Sequence, residues 1–214
     1  MKIIKKTILV TAITTLGLTA YATDKKTVKP TSIQQGQYKI DPSHTKVGFE
    51  IPHLVISSVE GRFTTFDGEL DLKEKFSESK VTATINIDSI DTANADRDNH
   101  LKSADFFDSG KYPKMTFKSK KIIGTSEKFK LIGDLTIKDK TKEVTFQGQF
   151  QGTVKDAYGN TKAAFQASTE INRQDFGLTW NKLVEAGPAV GNEVKITLKV
   201  QATKTNESKI NQQN

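Results

Sequence analysis

A chain of 214 residues without a single cysteine is long enough for one sizeable domain, and no disulfide holds that domain together, so its core must suffice. The net charge of +7 is interspersed along the sequence, and the one short basic run, Lys118-Ser119-Lys120-Lys121, is not the clustered basic face with exposed aromatics that nucleic-acid binding needs. No nucleic-acid partner is expected.

The first 22 residues differ from the rest. Lys2, Lys5 and Lys6 precede a short apolar run, Ile8 to Leu18, and Ala20-Tyr21-Ala22 then has the small-x-small pattern of a signal peptidase site. This predicts a signal peptide over residues 1–22, cleavage before Thr23, and an exported, periplasmic protein. The apolar run is too short for a membrane span, and no cysteine follows it to carry a lipid anchor. Removing its three lysines and no acids lowers the net charge from +7 to +4. Residues 23–35 are polar with one proline and read as a flexible leader, and residues 203–214 read as a frayed polar tail. The domain is therefore expected over residues 36–202.

Within it, strand signals follow one another, separated by turn residues. Tyr38 to Asp41 opens a strand that Pro42-Ser43 turns, and Val47, Phe49 and Ile51 then alternate with Lys46, Gly48 and Glu50. Gly61-Arg62-Phe63 leads to Phe66, Gly68, Leu70 and Leu72, set against Asp67, Glu69 and Asp71. Val81, Ala83, Ile85 and Ile87 continue the period of two. So do Met115 and Phe117, then Phe129, Leu131, Gly133, Leu135 and Ile137. Val144, Phe146, Gly148 and Phe150 make the next run; Phe165, Ala167, Thr169 and Ile171 follow, and Val194 to Val200 makes the last.

About eight strands, each with one polar and one apolar face, exclude a buried parallel sheet and demand antiparallel pairing. Short connections favour a meander, packed on another sheet or closed on itself. Glycines on the apolar face (Gly61, Gly68, Gly133 and Gly148) fit the sharp coiling of a barrel and are expected to leave room inside it. A cavity is then favoured over a solid core, and an eight-stranded barrel can enclose one slender ligand.

One stretch, Asp91 to Phe117, breaks the pattern. Asn94 predicts an N-cap, with Asp96 and Asp98 in the electropositive first turn. Ser103 can cap a second turn carrying Phe106 and Phe107, which Gly110 is expected to stop before Tyr112-Pro113. A short helical insertion with a paired aromatic tip is suited to lie across an opening.

Several of these segments also match a known family. The matching pieces begin with Tyr38-x-Ile40-Asp41-x-x-His44, Val47-x-Phe49-x-Ile51-x-His53-Leu54 and Val59-x-Gly61-x-Phe63. Ser89-Ile90-Asp91-Thr92, Arg97-Asp98-x-His100-Leu101 and Ser103-x-Asp105-Phe106-Phe107-Asp108 follow. Tyr112-Pro113-x-Met115-Thr116-Phe117, Gly133-x-Leu135-Thr136-Ile137, Ile171-Asn172-Arg173-x-Asp175-Phe176-Gly177 and Val190-Gly191-x-Glu193-Val194 complete the set. From Gly36 to Ala202 the chain resembles the YceI-like family of periplasmic, lipocalin-like proteins. The resemblance implies an all-β fold, an extended eight-stranded antiparallel lipocalin-like barrel with a short helical insertion. It implies a polyisoprenoid or other long-chain lipid held in the interior, and a homodimer as one form, since some members are dimers. It brings no agreed enzymatic activity.

The expected role is thus a binding or carrier protein rather than an enzyme, with no cofactor. A hydrolase or isomerase acting on an isoprenoid lipid, or a stress-related interaction module, is the alternative. Phe49, Phe63, Phe117, Phe146 and Phe165 share parity with the apolar positions of their strands and are expected to line the interior, with Leu135. Phe106, Phe107 and Phe176 would meet the ligand's apolar chain if the insertion covers an opening. Arg97 and Arg173 each have an aspartate close by, Asp98 and Asp175, and the favoured reading is an ion-pair network fastening the insertion to the barrel. The functional reading puts a guanidinium at the mouth, on a ligand's polar head. His44, His53 and His100 lack zinc-site spacing, so structural histidines are expected and no metal. Ser77-Glu78-Ser79-Lys80 has the S-x-x-K spacing of serine acylating enzymes but neither accompanying motif, and chance explains it.

Overall fold

The computed structural model describes residues 32–185 and 187–205, so the signal peptide expected over 1–22, most of the leader and the end of the tail lie outside the described residues. Alternating residues build the strands β1 (Gly36–Ile40), β2 (Lys46–His53), β3 (Ser57–Phe63), β4 (Phe66–Leu72), β5 (Lys80–Asn86) and β6 (Ile90–Asp91). After the helix α1 (Ala95–Lys102) come β7 (Lys114–Thr125), β8 (Lys128–Ile137), β9 (Lys140–Lys155) and β10 (Thr161–Asn172). A two-stranded hairpin, β11 (Leu183–Val184) with β12 (Gly187–Pro188), precedes β13 (Glu193–Lys204).

Several of these strands are halves of one stave. β13 pairs with β1 through Ala202 to Lys204 and with β2 through Lys195 to Lys199, so β1 and β2 lie end to end. β3 and β4 face them in the same way, and β5 and β6 face β4 and β3. The result is a closed meander of eight antiparallel staves, the last pairing with the first. Closure leaves no long unpaired edge.

The kink between β1 and β2 is held by side chains. The Asp41 carboxylate accepts hydrogen bonds from the Ser43 N–H, Lys162 Nζ and Gln201 Nε2 and lies 3.0 Å from His44 Nδ1. Lys162, on β10, also reaches Thr203 Oγ1 at 2.7 Å and Asp156 at 3.9 Å. Burial pushes the Asp41 pKa up, but these hydrogen bonds outweigh it and hold the carboxyl below its usual value.

The glycines on the inner face do not leave empty space as expected. A Cβ on Gly61 would collide with the Phe49 ring, one on Gly133 with the Phe117 ring, and one on Gly148 with the Phe129 ring. Gly61 pairs directly with Phe49 and Gly148 with Phe129 across their ladders, so each ring occupies the space a glycine's missing side chain leaves.

Two further expectations are corrected. The chain beyond residue 202 is not yet tail: Thr203 and Lys204 pair with Lys39 and Tyr38, because β13 must reach the start of β1 to close the barrel. At the other terminus Ile33 packs against the core and Gln34 O accepts from the Tyr38 hydroxyl, so residues just before the barrel are docked on it.

Both long connections lie at one end, here the upper end. One is α1 with its following turn, between β6 and β7; the other is the stretch from Arg173 to Asn192, between β10 and β13. Asn94 caps α1 by accepting from the Arg97 N–H, as its residue type predicts. Ser103 ends the helix, its Oγ donating to His100 O, and also accepts from the Asp105 N–H in the turn beyond. That turn is stopped by Asp108 at φ 52 rather than by Gly110; a short polar side chain tolerates the left-handed region. The second insertion has no counterpart in the sequence-based expectation, which placed all irregular structure between residues 91 and 117. Gly177, at φ 75, closes its first turn, a 3₁₀ helix over Arg173–Phe176.

Candidate functional site: the barrel interior and its capped end

The staves enclose a cavity of about 390 Å³. Phe117 and Phe146 meet edge to face at mid-barrel, with ring centroids 5.5 Å apart, and Leu135 pairs with Phe117 on the adjoining stave. Higher up, Phe49 and Phe63 lie 5.9 Å apart, and Phe63 meets Phe107 of the insertion at 6.1 Å. Towards the lower end Phe165 stands 6.5 Å from Phe129, which in turn stands 5.1 Å from Phe76. Phe49, Phe63, Phe117, Leu135, Phe146 and Phe165 all line the cavity.

The upper end is roofed by three rings in mutual contact. His100 and Trp180 lie 4.9 Å apart, Phe106 and Trp180 5.1 Å, and His100 and Phe106 5.1 Å. Lys138, in the β8–β9 turn, donates to Phe106 O at 3.0 Å and ties this roof to the staves. Phe106 and Phe107 reach the cavity as the aromatic tip suggested. Phe176 does not; it is buried in the hydrophobic core and is absent from the lining.

Sequence reasoning did not place Trp180 or His100 in the wall. Trp180 is the chain's only tryptophan, set in a long interstrand stretch, and that was the signal available. His100 was weighed only as a metal ligand or a structural group. It contacts Asp105 at 2.9 Å and His44 contacts Asp41 at the opposite end, while His53, at the upper end of β2, borders the cavity as His100 does. Among the described residues no three His, Cys, Asp or Glu side chains converge as metal ligands would. Ser77 and Lys80 are exposed at the lower end, and the Ser79 hydroxyl accepts from the Lys73 N–H.

Both predicted arginines border the cavity, but neither forms the expected ion pair. Thr92 stands between Arg97 and Asp98 instead. Arg97 donates to Thr92 Oγ1 at 2.8 Å and to Thr92 O at 2.7 Å, while the Asp98 carboxylate accepts from the Thr92 N–H and hydroxyl. The insertion is thus fastened by hydrogen bonds through a buried threonine, because adjacent helical residues point away from each other.

Arg173 is buried, at 2% exposure, and fastens the second insertion to itself. Its Nε donates to Gly191 O at 2.8 Å, and its Nη1 to Trp180 O at 2.9 Å and to Leu178 O. Asp175 is exposed and takes no part. Burial alone pushes the guanidinium pKa down, since no anion stands beside it.

The wall is hydrocarbon over most of its extent, and its charged residues divide unevenly. Arg97 and Arg173 lie under the roof with the imidazoles of His53 and His100, whereas the lone acid, Asp67, points its carboxylate outward to Lys39. Such a space can hold an apolar chain and has its guanidinium groups at one end only.

The YceI-like domain model matches residues 38–202. A UPF0312 protein of Staphylococcus epidermidis is 41% identical over 162 residues, 74% of this chain and 92% of that protein. Among solved structures, BcnA of Burkholderia cenocepacia superposes with a TM-score of 0.68 at 24% identity, covering 77% of this chain and 99% of that one. A polyisoprenoid binding domain from Saccharophagus degradans has a TM-score of 0.61 at 12% identity, covering 80% and 100%. Both share the barrel fold.

Proposed function

Because this chain belongs to the YceI-like family, we propose that it is a periplasmic binding protein that sheathes one long apolar chain, a polyisoprenoid or a similar lipid, inside its barrel. The observation that carries this reading is the cavity itself. A volume of about 390 Å³ lies within the range of small-molecule sites and is walled by phenylalanine and aliphatic side chains. The Saccharophagus domain, a polyisoprenoid binder, offers a parallel in fold.

The physics suits such a ligand. Each methylene moved from water into the barrel gains about 0.8 kcal/mol, so roughly twenty carbons gain some 16 kcal/mol before association and ordering costs. Affinity then needs no polar motif. The basic and apolar run ending at Ala20-Tyr21-Ala22 supports export, and a water-insoluble lipid in an aqueous compartment needs a sheath. Among the described residues no helix is long and apolar enough to cross a membrane. Binding without turnover fits a wall on which Arg97 and His100 are already engaged with Thr92 and Asp105.

Lipid extraction from protein purified out of its own periplasm, read by mass spectrometry, tests the reading. One apolar chain per barrel is expected, and Phe146→Trp, which enlarges a mid-barrel ring, should lower that content while leaving the fold intact. Recovery of no apolar ligand from the native protein, with no uptake of added polyprenol, would overturn it. Chemical conversion of the bound lipid would instead favour a hydrolase or isomerase.

A further inference from the structure

Beneath the roof lies a charge for which no described residue provides a counter-ion. A guanidinium carries five N–H donors in a rigid fork. In Arg173 the Nε and Nη1 edges are spent on the carbonyls of Gly191, Leu178 and Trp180, yet Nη2 is buried without a hydrogen-bond partner. The residue borders the cavity, and Leu178 and Trp180, whose carbonyls hold its fork, line it too.

The neighbouring acids are committed elsewhere. Asp98 is held by Thr92, Asp105 faces His100, and Asp175 is exposed. The other basic residues on the lining, His53, Arg97 and His100, lie at this same end. A buried fork anchored on three carbonyls cannot swing out to bulk water, so its remaining donors stay beside the cavity.

We propose that Arg173 Nη2 anchors the ligand's head group. The bound lipid lies with its polar end under Trp180 and its tail towards Phe129, and that polar end bears an oxygen acceptor. A carboxylate or phosphate is held most strongly, because it also offsets the uncompensated charge. This rests on the sheath reading and adds the orientation and head-group chemistry to it.

Three C20 isoprenoids with the same tail separate the two ideas: phytanic acid, phytol and phytane, each delivered from cyclodextrin to delipidated full-length protein. Fluorescence of Trp180, the only tryptophan and an Arg173 partner, reports binding at the roof. Wild type is expected to bind phytanic acid at least tenfold more tightly than phytane, with phytol between them. Arg173→Met should shrink that preference to under threefold, with phytane binding by the same variant as the reference for any general loss from a loosened roof. Equal affinity of wild type for acid and hydrocarbon, or an undiminished preference in Arg173→Met, would overturn the inference while leaving the sheath intact. Binding of none of the three would sink the sheath and the anchor with it. Should Arg173→Met fail to fold, the ¹⁵N resonance of Arg173 Nη2 in wild type decides. It must move on adding phytanic acid and stay still with phytane; no movement with the acid overturns the proposal.

Discussion

At its lower end the barrel is closed by side chains of its own staves and one short turn: Phe129, Phe150 and Phe165 cluster with Phe76, and Asp41, Asp156 and Lys162 form a satisfied charge network beside them. At the upper end two insertions from opposite parts of the chain meet over the opening, and their contacts are mixed: three rings, a bridging threonine, and an arginine with an unused donor. The first end closes the cavity with the staves' own rings, the second with inserted segments that bring polar groups to it. A polar group on a stave's inner face would need a buried partner within the barrel, whereas an inserted segment adds no ladder and can carry polar groups together with their partners.

If that contrast is right, truncating a ring should cost most at the lower end. Phe129→Ala leaves a cavity between Phe76 and Phe165 and is expected to lower unfolding stability by about 3–5 kcal/mol. Phe107→Ala, half-buried beneath the roof, should lose only about 1–2 kcal/mol. Urea unfolding of both variants settles it, and equal losses would erase the distinction. The glycines sharpen the same point. Gly148→Ala drives a methyl into the Phe129 ring and should cost about 1–3 kcal/mol, recovered in part when Phe129 is replaced by Leu.

At the upper end the effects should be smaller and local. Arg97→Ala removes two hydrogen bonds to Thr92, for a loss of about 1–2 kcal/mol. Amide exchange should accelerate between Thr92 and Asp108 and stay unchanged in β9 and β10; acceleration throughout would mean that the roof holds the barrel together.

The smallest effect is one of pH. Asp41 has a folded pKa below its unfolded value near 3.8, so its contribution is full above that value and is lost as pH falls through the folded pKa. Stability measured from pH 5 downward should therefore decline more steeply in wild type than in Asp41→Asn. Identical acid slopes would remove Asp41 from the lower network.

The alternation of Phe, Leu, Ile and Val with charged residues decided strand, antiparallel pairing and inward face, because a period of two is a local property that any pleated strand obeys. The cap of α1 was equally legible, since Asn94 and the Arg97 N–H lie within one turn. What escaped depends on which stave stands beside which. Gly148 reads as empty space until Phe129 is set across from it, and Arg97 and Asp98 read as a pair until the helix turns them onto Thr92. Trp180 and His100 meet only because two insertions about eighty residues apart converge on one end of a closed barrel. The solitary donor on Arg173 likewise exists only in three dimensions: burial and the positions of three carbonyls create it, and no spacing in the sequence encodes either.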